Sequence, residues 1–127
     1  MATFKDFQKL DIRMGTVVKA QVPEWSHWVI KLTVDFGSPE ENGLGEKTIF
    51  AGMLGFYKPE DFVNKQFPFV VNMEPKKMGP RGDVSEGMMM AASMKLGKPV
   101  VIADEETFEK PVFLMSCEKV PNGTRVC

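Results

Sequence analysis

Apolar and polar residues alternate along several short stretches of the chain, which is the pattern of half-buried β-strands. The first stretch covers residues 12–22, and its predominantly apolar face comprises Ile12, Met14, Thr16, Val18, Ala20 and Val22. The second covers residues 28–36 and alternates more cleanly, with Trp28, Ile30, Leu32, Val34 and Phe36 on one face. Each stretch predicts a strand that buries one face.

The remaining stretches predict further strands and two short helices. Strands are expected at 47–51, 67–73, 84–93 and 99–103, and the Gly- and acid-rich segment 37–45 is expected to be a loop. Thr3 and Asp6 have the spacing of a capping box, which predicts a helix over 3–10. Pro59 suits the first position of a second helix over 58–64.

Several short strands with a short helix between the third and fourth predict an all-β protein built as a small closed barrel. The five-stranded OB-fold, a Greek-key barrel, has this plan and commonly binds nucleic acids or oligosaccharides. A C-terminal segment with apolar pieces follows the last predicted strand. The pattern of residues predicts this architecture but assigns no function.

Composition and charge restrict the possible functions. The 127 residues suit one domain. The chain has 16 basic and 17 acidic residues, a net charge of −1, so any RNA binding would depend on a local basic patch. Without an apolar run of about 18 residues or the apolar core of a signal peptide, we expect no membrane contact and a cytoplasmic location. Cys117 and Cys127 are expected to be reduced thiols.

The turn between the fourth and fifth predicted strands carries the candidate phosphate-binding residues. Lys76, Lys77 and Arg81 lie within six residues, among glycines and prolines that hold the backbone in a turn. Cations placed in this way can neutralise phosphates, and the affinity then falls as salt rises. The alternative is an ordinary solvated turn.

Other polar and apolar groups near this turn are candidates for contacts with bases. Asn72 and Ser85 can hydrogen-bond bases or ribose, and Met88 and Phe56 can lie against exposed bases. The alternative is that the apolar pair fills the barrel core. His27 has no catalytic partners in the sequence, and no metal-ligand or phosphate-loop motif occurs, so we predict no enzyme, catalytic residue, metal or cofactor.

Four ordered segments resemble motifs of one known family. They are 11–15 (DIRMG), 31–37 (KLTVDFG), 51–52 with 57–65 (AG and YKPEDFVNK), and 72–78 with 85–88 (NMEPKKM and SEGM). Together they resemble the tRNA-binding domain family. Members of this family occur as stand-alone dimeric proteins, as the C-terminal part or beta subunit of methionyl-tRNA synthetases, and in tRNA-binding cytokine precursors. The resemblance extends from about Phe4 to about Asp104.

The resemblance implies an OB-fold domain over residues 1–105 and a C-terminal extension over 106–127 in the interface of a homodimer. It also implies tRNA as the partner and a methionyl-tRNA synthetase as a possible second partner. Deletion of the residues after Lys110 is then expected to give a monomer. The positions carried over as nucleic-acid-binding are Arg13, Asn72, Lys76, Lys77, Ser85 and Met88, and the basic turn adds Arg81.

Two segments depart from the family pattern. Residues 23–29 (PEWSHWV) replace a lysine-bearing loop and are one residue longer, and the turn between Met78 and Ser85 is two residues longer. The length of the first loop is similar to that of the related CsaA-type export chaperones. The main alternative to tRNA binding is therefore a chaperone that binds unfolded polypeptides. A third hypothesis is a purely structural dimerisation subunit.

Overall fold

The computed structural model describes residues 1–127, and most of the chain forms β-strands. One α-helix precedes nine strands, and 3₁₀ turns occur at Pro39–Glu41 and Pro59–Asp61. The elements are α1 (Phe4–Gln8), β1 (Ile12–Gln21), β2 (Ile30–Asp35), β3 (Glu46–Ala51), β4 (Gln66–Val70), β5 (Lys76–Met78), β6 (Asp83–Ser85), β7 (Met88–Met89), β8 (Ala91–Ile102) and β9 (Glu105–Phe113). The single α-helix of the chain has five residues, and no helix is long and apolar enough to cross a bilayer.

Five strands form a nearly closed antiparallel barrel in the order β3-β2-β1-β4-β7. The two ends of this sheet, β3 and β7, lie against each other. The link between them is made by the segment before β7, where the backbone N–H of Glu86 donates to the Thr48 carbonyl at 2.8 Å. The predicted all-β, five-stranded barrel with short helices and a C-terminal extension is therefore confirmed.

The barrel encloses one apolar core, and the strand alternation in the sequence explains most of it. The predicted inner face of the second strand is buried from Ile30 to Phe36, but Trp28 precedes β2 and is exposed, so its placement on this face was wrong. Phe62, Phe67 and Phe69 are also fully buried. Each such side chain contributes roughly 1.5–3 kcal/mol through its removal from water. Burial of these side chains therefore stabilises the barrel.

The first strand departs from its predicted alternation at Val18. The register of β1 against β2 slips between Val17 and Lys19, which is the mark of a β-bulge. Because a bulge inserts one extra residue, the side chains beyond it change faces. Val17, just before the bulge, is buried in the core, whereas Val18, the extra residue without a partner on β2, is 41% exposed. The predictions that Val18 and Val22 lie on the buried face were wrong, since Val22 is exposed as well.

The second half of the chain is organised differently from the prediction. The expected strand 84–93 is three separate pieces, and the expected strand 99–103 is the end of the long β8. β8 pairs with β9 in a hairpin whose turn residues, Ala103 and Asp104, both have positive φ angles of 50° and 64°. Such a two-residue turn matches the twist of a hairpin, but its usual signal is Asn-Gly, and this turn has Ala-Asp in its place.

The helices are shorter than predicted. The capping box of α1 is present: the Asp6 carboxylate accepts the Thr3 backbone N–H at 2.9 Å, and the Thr3 hydroxyl accepts the Asp6 N–H. The backbone hydrogen bond from Thr3 lowers the pKa of Asp6 below its ordinary value. The second predicted helix is only the 3₁₀ turn at Pro59–Asp61, and the predicted strand 67–73 ends at Val70.

The last residues of the chain return to the barrel beside β1. β2 pairs with β1 only from Thr16 onward, so the first half of β1 has one open edge. The backbone N–H of Met14 donates to the Thr124 carbonyl at 2.8 Å, and that of Val126 donates to the Ile12 carbonyl at 2.8 Å. The segment 120–126 therefore completes the sheet at this edge. The predicted boundary between 105 and 106 falls at the start of β9, and the division into 1–105 and 106–127 stays a prediction.

Candidate nucleic-acid interface

The hairpin of β5 and β6 carries the two lysines predicted to bind phosphate. Lys76 lies opposite Ser85, and Lys77 lies opposite Val84. Both lysines are exposed, and neither takes part in any of the six ion pairs of the chain. Because neighbouring residues of a strand point to opposite sides, the two ammonium groups flank the hairpin. They can therefore meet two separate phosphates.

Arg81 lies in the turn of the same hairpin and already has a partner. Its Nη2 lies 3.2 Å from Oε2 of Glu24, and its side chain is 72% exposed. Ion pairs this exposed typically contribute about 0–1 kcal/mol. A phosphate that offers two acceptors to the guanidinium can therefore compete with Glu24 for Arg81.

Ser85 and Met88 have different environments. Ser85 is only 7% exposed, and its hydroxyl accepts the Phe50 backbone N–H at 3.1 Å and donates to the Gly87 carbonyl at 3.1 Å. This hydroxyl joins β6 to β3 and helps close the barrel. Met88 is exposed on β7, so its thioether is available to a ligand.

Arg13 and Asn72 lie together around Asp11, at the connection between α1 and β1. Asn72 accepts the Asp11 backbone N–H at 2.8 Å and donates to the Lys9 carbonyl at 2.7 Å. Arg13 donates from Nε to Asp11 at 2.9 Å, and Arg125 approaches the same carboxylate at 3.7 Å. These bonds fix the start of the barrel. Arg13 and Asn72 therefore belong to a cluster around Asp11, whereas Lys76, Lys77 and Arg81 share the hairpin.

The two segments that depart from the family pattern contact each other in the structure. The Trp25 ring lies directly over Gly79, and its Nε1 donates to Oδ2 of Asp83 at 3.2 Å. Oδ1 of Asp83 lies 3.6 Å from the Lys31 ammonium. Trp25, Lys31 and Asp83 were not among the predicted site residues. The unusual lengths of the loop and the turn are the sequence signal that could have pointed to them.

This contact predicts different effects for two glycines of the same turn. Gly79 and Gly82 both have positive φ, so alanine strains either position by roughly 1–2 kcal/mol. A Cβ at Gly79 would also overlap the Trp25 ring, whereas a Cβ at Gly82 has open space around it. We therefore expect Gly79→Ala to lower the free energy of unfolding by roughly 1–3 kcal/mol more than Gly82→Ala, the cost range of overpacking.

Urea unfolding followed by tryptophan emission measures both variants against the parent chain. The emission of the folded Gly79→Ala variant should also shift, because Trp25 has to leave the turn. Equal losses of stability in the two variants would contradict the observed packing of Trp25.

A second concave surface is lined by Trp28, which belongs to the same loop as Trp25. It is a groove of about 630 Å³, whose apolar part includes Trp28, Leu54, Phe56 and Ile102. Trp28 is 52% exposed and its ring lies on Gly52. Glu105 and Glu106 line the same groove and give it a negative rim. Phe56, a predicted base contact, is thus in an acidic groove that repels phosphate.

Together, the barrel and its basic hairpin define a small β-barrel binding domain. Residues 12–112 match the family described as “Putative tRNA binding domain”. The chain belongs to this family, and the resemblance to tRNA-binding domains found in the sequence is confirmed.

Individual relatives agree with this assignment. The chain is 39% identical over 103 residues to a methionine–tRNA ligase of Parabacteroides distasonis, a match that covers 81% of this chain but 14% of the ligase. A MetRS related protein from Pyrococcus horikoshii has a similar structure, with a TM-score of 0.78 and 33% identity over 100% of this chain and 98% of that one. The chaperone CsaA from Bacillus anthracis also has a similar structure, with a TM-score of 0.73 and 33% identity over 100% of this chain and 99% of that one. The expected relation to CsaA-type proteins is therefore also confirmed.

Proposed function

We propose that this chain is a non-enzymatic module that binds structured RNA, specifically tRNA, through the OB-fold surface around the β5–β6 hairpin. The observation that carries the proposal is the pair of exposed lysines, Lys76 and Lys77, without carboxylate partners in a domain of the tRNA-binding family. Since the net charge is −1, the attraction to RNA depends on this local patch.

The residues of the interface divide into two groups in this proposal. Lys76, Lys77 and Arg81 meet phosphates, and Met88 lies against an exposed base. Arg13, Asn72 and Ser85 are tied to backbone groups or to Asp11, so they hold the surface in shape. Phosphate contacts of this kind fix the position of an RNA without reading its sequence.

The experiment that tests the proposal is a gel shift of the purified chain with unfractionated tRNA at low and at physiological salt. An unfolded protein serves as competitor. We expect a complex that weakens with salt and that the competitor does not displace. No shift at low salt would contradict tRNA binding.

We also propose that the module supports a methionyl-tRNA synthetase in the cytoplasm by holding tRNA for it. The relative from Parabacteroides distasonis carries the matching segment within a methionine–tRNA ligase. If this proposal is correct, the chain should lower the KM of such a ligase for tRNA without changing its KM for methionine. An unchanged KM for tRNA would contradict a role in support of the synthetase.

We also propose that the chain forms a homodimer, and exposed apolar side chains support this proposal. α1 buries none of its residues, and Phe4, Phe7 and Leu10 are exposed. On the β8–β9 hairpin, the exposed Val101 and Phe108 lie on one face, because Val101 pairs with Glu106 and Phe108 is two residues further along β9. Exposed apolar groups in such clusters are typical of interfaces.

The dimer proposal predicts that Val101→Glu combined with Phe108→Glu gives a monomer. Burying two unpaired carboxylates costs several kcal/mol, so the dimer dissociation constant should rise by at least about 100-fold. Sedimentation velocity at micromolar concentration measures the change. Val18→Glu, at an exposed valine of the barrel, is the matched control and should stay dimeric. A double variant that sediments as a dimer would contradict this interface.

A chaperone that binds unfolded polypeptide is the second candidate function, and the Trp28 groove favours it. The apolar lining suits apolar side chains, and the acidic rim of Glu105 and Glu106 suits a basic peptide. In the gel shift described above, displacement of tRNA by the unfolded protein, or a lack of any tRNA complex together with suppression of client aggregation, would favour this function.

A further inference from the structure

A cleft beside the basic hairpin is formed by the two segments that depart from the family pattern. It has a volume of about 420 Å³, within the ~300–1,000 Å³ typical of small-molecule sites. Its lining includes Pro23, Glu24 and Trp25 from one segment, Arg81 and Asp83 from the other, and Lys31 from β2. Arg81 and Asp83 belong to the hairpin or its turn, so a ligand on the hairpin can reach the cleft.

The aromatic wall of the cleft is held in place before any ligand binds. Gly79 supports the Trp25 ring, Asp83 accepts its Nε1–H at 3.2 Å, and the Phe50 ring centroid lies 5.8 Å away. The ring is half-buried and still lines the cleft. A fixed indole is a good surface for an unpaired base, because base–aromatic stacking contributes about 1–3 kcal/mol and tolerates any base.

Two cations border the same cleft. Lys31 lies 3.6 Å from Asp83, and Arg81 lies 3.2 Å from the exposed Glu24. The Arg81 pair is the weaker restraint, because both side chains are mostly in solvent. A phosphate diester can therefore take Arg81 from Glu24 and lie between Arg81 and Lys31.

We propose that this cleft receives one unpaired nucleotide of the bound RNA, with its base against Trp25 and its phosphate between Lys31 and Arg81. The inference rests on the proposed tRNA binding and adds a site for a single flipped-out nucleotide. Glu24 opposes this binding, since its carboxylate pairs with Arg81 and repels the phosphate. The cleft thus combines the stacking surface and the cations that an unpaired nucleotide needs.

Two single-tryptophan variants test the site directly. Trp28→Phe leaves Trp25 as the sole tryptophan, and Trp25→Phe leaves Trp28. Each is titrated with unfractionated tRNA while its emission is recorded, and a gel shift of the same samples measures binding. We expect quenching of Trp25 at the concentrations at which the complex forms, and none of Trp28 once light absorbed by the RNA is corrected for.

The competing carboxylate gives an independent test through affinity. Glu24→Gln should strengthen tRNA binding by roughly two- to fivefold, the range expected from loss of an exposed ion pair. It should also steepen the salt dependence, because Arg81 becomes free for a phosphate. Glu41→Gln is the matched control, since it also removes an exposed negative charge but lies outside the cleft, and it should change the affinity less.

The outcomes separate this inference from the proposed function. A tRNA complex in the gel with unchanged Trp25 emission would overturn the nucleotide site and leave tRNA binding intact. An equal effect of Glu24→Gln and Glu41→Gln would also overturn it. The lack of any tRNA complex would overturn both, and quenching of Trp25 by an unfolded protein alone would assign the cleft to polypeptide.

Discussion

Replacement of both Lys76 and Lys77 by alanine is expected to weaken tRNA binding by roughly ten- to a hundredfold, about 1.4–2.8 kcal/mol. The physical reason is that both ammonium groups are exposed and free of carboxylates, so each can neutralise a phosphate. Each lost contact should lower the slope of log K against log salt by roughly 0.7. Gel shifts or fluorescence titrations at four or more salt concentrations measure both quantities.

A matched control separates a local interface from a general effect of charge. Lys95 and Lys98 are also exposed, and they lie on β8 outside the basic hairpin. Lys95→Ala with Lys98→Ala changes the net charge by the same two units. We expect this variant to bind tRNA nearly as the parent does. If the two double variants had equal affinities and equal salt slopes, the RNA would have to lie elsewhere on the chain.

Deletion of residues 120–127 is expected to lower the free energy of unfolding by roughly 3.5–7 kcal/mol. The estimate counts about 0.5–1 kcal/mol for each of the seven hydrogen bonds that join this segment to the rest of the chain. The segment bonds to the open edge of β1 through Ile12 and Met14. Its Asn122 accepts the Thr16 hydroxyl at 2.6 Å and the Gln66 amide at 2.9 Å. Thr16 and Gln66 are buried in the intact chain, so the deletion removes hydrogen bonds that are shielded from water.

Urea unfolding of the truncated chain measures this effect, and two point variants refine it. Asn122→Ala removes the bonds to Thr16 and Gln66 and should cost roughly 1–3 kcal/mol, the penalty of an unsatisfied buried group. Arg125→Ala lies in the same segment but affects a largely exposed side chain, so it should cost less than about 1 kcal/mol. A truncated chain with the unfolding midpoint of the parent would refute the role of this segment.

The hydrogen bonds of segment 120–126 also affect how a deletion that tests the dimer is interpreted. Removal of everything after Lys110 was expected from the sequence to give a monomer. That deletion also removes the 120–126 segment and Phe113, whose ring stacks on Tyr57 at 4.2 Å between centroids. Loss of the dimer would then be indistinguishable from loss of the fold. Charge substitutions at Val101 and Phe108 avoid this problem because both side chains are exposed.

Much of the candidate interface could be predicted from residue types alone. Lys76, Lys77 and Arg81 are charged residues in a Gly- and Pro-rich segment, and such residues almost always reach solvent. The role of a short polar side chain is harder to predict, since it can turn toward a ligand or toward the backbone. Ser85 and Asn72 bond to backbone groups 35 and 61 residues away in sequence, and only the folded chain brings those groups close.

The sequence by itself determined the first four barrel strands, the capped first helix, the basic turn and the family. Alternation is a local property, and a strand with one buried face such as 30–36 has to display it. The tertiary structure alone decided the bulge that exposes Val18, the packing of Trp25 on Gly79, and the pairing of the last residues with β1. Each of these features depends on contacts between residues that are distant in sequence. A local pattern of apolar and polar positions therefore cannot predict them.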